Sequence, residues 1–148
     1  MSFAAMMSII KPPPANQIMS KLPRYNSYWV LPDKFMAGEY PGHRFNEGKT
    51  ENRVDALLEA GITTYIDLTT PGERIPYESV LLERAGYYQV KTNYHRFSIG
   101  DFGIPSPKEM RVILDTIHQT LADGGKPYIH CWAGMGRTGT AVGCYFVE

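Results

Sequence analysis

The chain has 148 residues, with 15 basic and 15 acidic side chains and no formal net charge. No global field therefore draws it to nucleic acid or to an anionic membrane, and any anion it binds must be held locally. That length suits one domain with a sizeable core. Two cysteines, Cys131 and Cys144, are too few for a disulfide framework and read as free thiols of a reducing compartment, so a soluble, cytoplasmic protein is expected.

Residues 1–24 hold a weak apolar run, the proline run Pro12 to Pro14 and scattered polar residues. They read as a flexible N-terminal extension rather than a signal peptide, because no positive charge precedes the apolar run and no small-residue cleavage site follows it. No stretch approaches the ~18 apolar residues of a membrane-spanning helix. The folded domain is expected over residues 25–148. "SYWVL" and "KFMAGEY", separated by Pro32-Asp33, form an edge hairpin. From Thr50 the period changes to helical, with Val54, Leu57 and Leu58 on one face and Gly61 as C-terminal cap. "ITTYIDL", Ile62 to Leu68, is a β-branched strand, and "PYESVLLERAG" a helix ending at Gly86. A strand follows around Tyr94 to Ile99.

Ser106, Pro107 and Glu109 together make a helix start, because serine and glutamate at this spacing cap each other's backbone amides and proline suits the first helical position. Met110, Ile113 or Leu114, Ile117 and Leu121 give that helix its buried stripe, and Gly124-Gly125 ends it. "PYIHC" is the last strand. "RTGTAVGCYFVE" is a helix apolar on almost every side, so a central position is expected for it. Strands alternating with helices imply an α/β fold, a central mostly parallel sheet with helices on both faces. In such sheets ligands bind beyond the carboxyl ends of strands.

The stretch "HCWAGMGRTG" lies at one of those ends. His130-Cys131 close a strand, Gly134 and Gly136 permit a tight curve, and Arg137-Thr138 open a helix. Amides turned inward around such a curve form an anion-binding nest, reinforced by the positive end of the helix. Arg137 can grip two oxygens of one anion through its planar fork. Free thiols titrate near pH ~8.5, and electropositive helix-terminal settings bring them to roughly 3.5–7.5, so the same field favours a thiolate at Cys131. His130 is an organiser of the loop rather than an acid or base. Thr138 either donates its hydroxyl to the sulfur or merely starts the helix. A thiolate attacking a phosphate ester needs an acid for the departing oxygen. Asp101, in "SIGDFGIPS" between the hinges Gly100 and Gly103, is placed to supply it, with an ordinary turn aspartate as the bland alternative.

These residues resemble the His-Cys-x5-Arg-Ser/Thr signature of the protein tyrosine phosphatase superfamily, in particular its compact dual-specificity-like members, and "IGDFGIPS" resembles their mobile general-acid loop. The likeness extends through "YWVLPDKFMAGEYPG", "AGITTYIDLTTPGERIPY" and "HRFSIGDFGIPS", from about Tyr28 to the C-terminus. It implies a three-layer αβα fold and a cysteine-dependent phosphatase acting on phosphotyrosine, with phosphoserine and phosphothreonine as further substrates. Cys131 would be the nucleophile, Asp101 the general acid, Arg137 the phosphate clamp and Thr138 the hydroxyl that aids breakdown of the intermediate. His130, Trp132, Ala133, Gly134, Met135 and Gly136 would complete the phosphate-binding loop. In the superfamily further helices follow the signature helix, so the domain is expected to lack its final helices.

Trp132 and Met135 take variable loop positions where phosphoinositide-directed members often carry lysine, which points to a phosphorylated protein or aryl phosphate substrate. Rival readings are a phosphate-binding module without turnover, and sulfur transfer or arsenate reduction, which lacks a resolving cysteine. Asp67, Glu73 and Arg74 either border the cleft or serve a surface loop. Tyr94, His95 and Arg96 are either a recognition cluster or simple strand alternation. His43, His95 and His118 are scattered, so no metal site and no cofactor is expected. The sequence carries no signal for oligomeric state.

Overall fold

The structure is a computed structural model that describes residues 26–100, 103–133 and 135–148. Among these residues the elements run β1 Ser27–Leu31, β2 Phe35–Gly38, α1 Glu47–Glu59, β3 Thr64–Asp67, α2 Glu78–Tyr87, β4 Asn93–Arg96, α3 Pro107–Ala122, β5 Pro127–His130 and α4 Gly136–Val147. The strands join in one sheet of order β1-β2-β5-β3-β4. The β1–β2 pair is the expected antiparallel edge hairpin, and every other pairing is parallel. Although last in sequence, β5 is the middle strand. All four of its residues are buried, as a strand covered on both faces requires.

Two apolar clusters lie on opposite faces of this sheet. On one face, Val54, Leu57 and Leu58 of α1 and Leu81 and Ala85 of α2 pack against Met36, Tyr65 and Tyr128. On the other, Met110, Ile113, Leu114 and Ile117 of α3 and Ala141 and Val142 of α4 pack against Phe35, Ala37, Ile66 and Ile129. The result is the three-layer αβα arrangement anticipated from the sequence. Both Ile113 and Leu114 are buried, whereas Leu121 is only partly so and Thr120 takes the inner position. The Ser106–Glu109 capping box forms, with both reciprocal hydrogen bonds present. No helix among the described residues is long and apolar enough to cross a membrane.

Several boundaries differ from the sequence reading for local physical reasons. Asn46 caps α1 by accepting from the Lys49 amide, so the helix starts at Glu47, ahead of the apolar period. Gly61 does terminate that helix, at φ 89°. Gly86 does not end α2: the helix runs through it to Tyr87, and the left-handed turn falls on Gln89 at φ 57°. The strand expected over Ile62–Leu68 pairs regularly only from Thr64 to Asp67, and β4 is shifted to Asn93–Arg96. Ladder-like bonds nevertheless continue past both ends, from Phe97 N–H to the Asp67 carbonyl and from Ile99 N–H to the Leu68 carbonyl. Helix α4 is not central. One side of it is buried, while Phe146 and Val147 on the other are 61% and 84% exposed. The N-terminal segment 1–24 lies outside the described residues.

Candidate active site

Three parallel strands end side by side. Register pairs Asp67, the last residue of β3, with His130 of β5 on one side and with Arg96 of β4 on the other. On the far side of β5, His130 pairs with Gly38. A side chain there would collide with the Tyr128 hydroxyl at 2.6 Å and the Asn26 carbonyl at 2.5 Å, so glycine is what lets β2 close up to β5. The carboxyl edge of the sheet thus carries a row of charged and ring-bearing residues where an apolar strand would otherwise stop.

Strand alternation sends His130 toward the α1/α2 layer and Cys131 toward the α3/α4 layer. His130 is fully buried. Its Nε2 lies 2.6 Å from the Tyr77 hydroxyl, and its Nδ1 faces the Cys131 carbonyl oxygen at 3.4 Å and the Asp67 carboxylate at 3.9 Å. A tyrosine hydroxyl donating to Nε2, with the Nδ1 hydrogen directed at the carbonyl, satisfies a neutral ring at both ends. Burial pushes the imidazole pKa down to about 4, against the pull of Asp67. Asp67, itself fully buried, is opposed by burial but drawn below the usual carboxylate range by His130 and by hydrogen bonds from Thr69 and Tyr94. Thr69 supplies its amide at 2.9 Å and its hydroxyl at 2.6 Å, Tyr94 its hydroxyl, and Arg96 a guanidinium contact at 3.2 Å. The floor under the loop is a hydrogen-bonded polar network centred on Asp67, in which the buried Nε of Arg96 alone has no partner among the described residues, and such a network holds one geometry firmly in a low-dielectric interior.

Cys131 follows directly, 3% exposed and unbonded to Cys144. The chain then turns and enters α4 at Gly136, with no side chain capping the helix start. The first amides of a helix have no partner within it, so this end carries free donors and the positive end of the helix dipole, five residues after the cysteine. Thr138 is fully buried, and its hydroxyl oxygen has no hydrogen-bond partner among the described residues. An orphaned buried hydroxyl in a first helical turn is costly unless something polar faces it.

Arg137 is 4% exposed and tightly held. Its two terminal nitrogens grip the two oxygens of Glu73 at 2.8 and 3.0 Å, and Nη1 also donates to the carbonyl oxygens of Ile99 at 2.7 Å and Leu68 at 3.4 Å. Glu73 is oriented in turn by the Thr70 amide. Burial opposes its ionisation, yet the bonds from Arg137 and Thr70 hold its carboxyl below the usual range. The arginine fork expected to grip an anion is therefore fixed in plane by a carboxylate and by carbonyls of the segments that follow β3 and β4.

Of the residues singled out in the sequence, His130, Cys131, Arg137 and Thr138 converge at this edge. Trp132 lies beside them: its carbonyl accepts the Tyr40 amide at 2.9 Å, while its ring is 52% exposed. Ala133 and Met135 are exposed on the loop, and Gly136 is exposed at the first position of α4. Gly134 and Asp101 lie outside the described residues. On either side of Asp101, Ile99 is buried against Arg137, and Gly103 donates to the Gly100 carbonyl at 2.7 Å. Sequence reasoning missed Tyr77, which no pattern marks, and undervalued Asp67 and Glu73. A carboxylate closing a β-branched strand was the available signal for Asp67. Among the described residues, no group of three or more His, Cys, Asp or Glu side chains is placed to hold a metal ion.

A three-layer α/β fold around a central five-stranded sheet is that of the compact dual-specificity-like members of the protein tyrosine phosphatase superfamily, and the comparisons place the chain among them. Residues 42–148 match the family model described as a polymorphic toxin system DSP-PTPase phosphatase, and the chain belongs to that family. It is 33% identical over 130 residues to mouse protein tyrosine phosphatase domain-containing protein 1, covering 82% of this chain and 17% of that relative. It is 26% identical over 126 residues to mouse dual specificity protein phosphatase CDC14B, covering 81% of this chain and 24% of the relative. The chain thus spans less than a quarter of the length of either protein. The crystal structure of Tk-PTP in its active form shares the fold at TM-score 0.67 and 20% identity, over 82% of this chain and 72% of that one.

Proposed function

We propose that residues 25–148 form a catalytic domain that hydrolyses phosphotyrosine, and also phosphoserine and phosphothreonine, monoesters through a cysteinyl-phosphate intermediate. The observation that carries this reading is the uncapped start of α4. It begins five residues after Cys131 and holds Arg137 rigidly against Glu73.

The Cys131 thiolate attacks phosphorus, forming the S–P bond as the ester P–O bond breaks. Asp101 gives its proton to the departing oxygen. The loop amides of residues 132 to 136, the dipole of α4 and the Arg137 guanidinium hold the equatorial oxygens, where charge is greatest in the transition state. As a carboxylate, Asp101 then takes a proton from water, whose oxygen attacks phosphorus and breaks the S–P bond. The Thr138 hydroxyl donates to the sulfur as it leaves with the electron pair, which gives its orphaned oxygen a purpose. His130 and the network beneath it do no proton transfer; they fix the carbonyl of Cys131 and so the entry angle of the loop. Cys131 stays reactive only as an unoxidised thiol, so the cytoplasm is the compartment proposed for its action.

The test is turnover of p-nitrophenyl phosphate and of phosphotyrosine and phosphoserine peptides by the purified chain, with Cys131→Ser as control. Hydrolysis lost in the variant supports the proposal. Tight phosphopeptide binding by the unaltered chain without turnover contradicts it and identifies a phosphate-binding module instead.

A further inference from the structure

Next to the cysteine loop runs an open groove lined by Arg44, Arg53, Arg74 and Trp132. Trp132 directly follows Cys131 in the chain. Two glutamates, Glu39 and Glu73, also line it, but Arg53 lies 3.8 Å from Glu39 and Glu73 is engaged by Arg137. Arg44 and Arg74 form no ion pair among the described residues. Instead each guanidinium lies over an aromatic ring, Arg74 above Trp132 at 4.0 Å and Arg44 above Phe45 at 5.3 Å. Stacking on a ring fixes the plane of a guanidinium and leaves its edge, which carries the N–H donors, available to an oxyanion. The buried Nε of Arg74 has no hydrogen-bond partner among the described residues. The whole chain has no net charge, so this concentration beside the nucleophile is not a general property of its surface.

Building on the phosphatase reading above, we infer that this groove is a second anion site, which binds a carboxylate or phosphate flanking the phosphorylated residue of a peptide substrate. Arg74 and Arg44 grip that second group while the Cys131 loop holds the phosphate to be removed. The preferred substrate is an acidic or multiply phosphorylated segment, and a segment rich in lysine or arginine is disfavoured.

Phosphotyrosine peptides differing only in their flanking residues, acidic, amide, basic or carrying a second phosphorylated side chain, test this by kcat/KM. The two anionic arms separate carboxylate from phosphate as the natural second group. Acidic or doubly phosphorylated peptides are expected to exceed the amide peptide by about tenfold, the value of one charge-assisted contact. Raising salt to 0.5 M should shrink that ratio. In Arg74→Ala and in Arg44→Ala the ratio should fall toward one. Each variant is its own reference, so a general loss of activity leaves the readout intact. A flat peptide series, a preference for basic flanks, or a ratio unchanged in both variants overturns the inference. Failure to hydrolyse p-nitrophenyl phosphate would instead overturn the phosphatase reading. In that event peptide affinities measured on the Cys131→Ser protein decide the second site by the same ratios.

Discussion

Acidification should destabilise this protein through one buried ring. Unfolded, His130 titrates near its ordinary value of 6.5; folded, burial lowers it to about 4. Above the unfolded value the ring is neutral in both states and contributes no pH dependence. As pH falls below about 6.5 the unfolded chain takes up a proton that the native state refuses, so native stability drops until the folded value is reached and is level below it. A gap of this size corresponds to about 3 kcal/mol in full, of which about 2 kcal/mol is lost between pH 7.5 and 5. For a domain of this length that lowers Tm by roughly 4–8 °C. Asp67 and Glu73, both held below the usual carboxylate range, act in the same direction but at lower pH, where their own protonation begins. Thermal melts at pH 7.5 and 5 on the unaltered chain and on His130→Gln isolate the ring, because every other ionisable side chain is common to both proteins. The variant should lose most of the pH-dependent drop. Should it not fold, NMR titration of the intact protein gives the same quantity, with the His130 resonance unmoved until about pH 4. An equal drop in both proteins, or a His130 resonance titrating near 6.5, refutes the reasoning.

Glu73→Gln loosens the bidentate hold on Arg137 and should lower kcat/KM on p-nitrophenyl phosphate by about 10- to 100-fold, the equivalent of one strong charge-assisted contact; wild-type rates would show that Arg137 needs no such support. Asp101→Asn should cost roughly 10² to 10⁴ in rate on phosphopeptides, with the loss smaller for p-nitrophenyl phosphate, whose leaving group needs less protonation. An equal loss on both substrates would remove Asp101 from the role of acid. Thr138→Val replaces an unpartnered buried hydroxyl by a methyl of similar size, so Tm should hold or rise while steady-state turnover falls. A marked fall in Tm would mean that the hydroxyl serves the fold.

How much of this was legible beforehand differs between the fold and the site. Periodicity and punctuation were enough for the alternating elements, because the apolar faces of α1 and α3 and the capping box at Ser106 are strong local signals. They failed where local rules were overridden. Gly86 looks like a stop, but α2 continues through it because the chain completes its turn at Gln89. The apolar composition of α4 promised burial on all sides, whereas its outer residues Phe146 and Val147 are exposed. Cys131, Arg137 and Thr138 lie within eight residues of one another, across a loop and the helix start that follows it, and so were readable together. Asp67, Glu73 and Tyr77 support that loop from the end of β3 and the connection to α2, some sixty residues away in the chain, and the pairing of β3 with β5 brings that stretch beside it. Spacing along a chain carries no trace of such contacts.

The central claim is that Cys131 becomes covalently phosphorylated during turnover. Rapid mixing with an aryl phosphate, followed by an acid quench and peptide mapping, tests it most directly. A phosphoryl group on Cys131, formed in a burst stoichiometric with protein and absent in Cys131→Ser, is the expected result. Turnover that persists without residue 131, or a phosphoryl adduct on any other side chain, contradicts it.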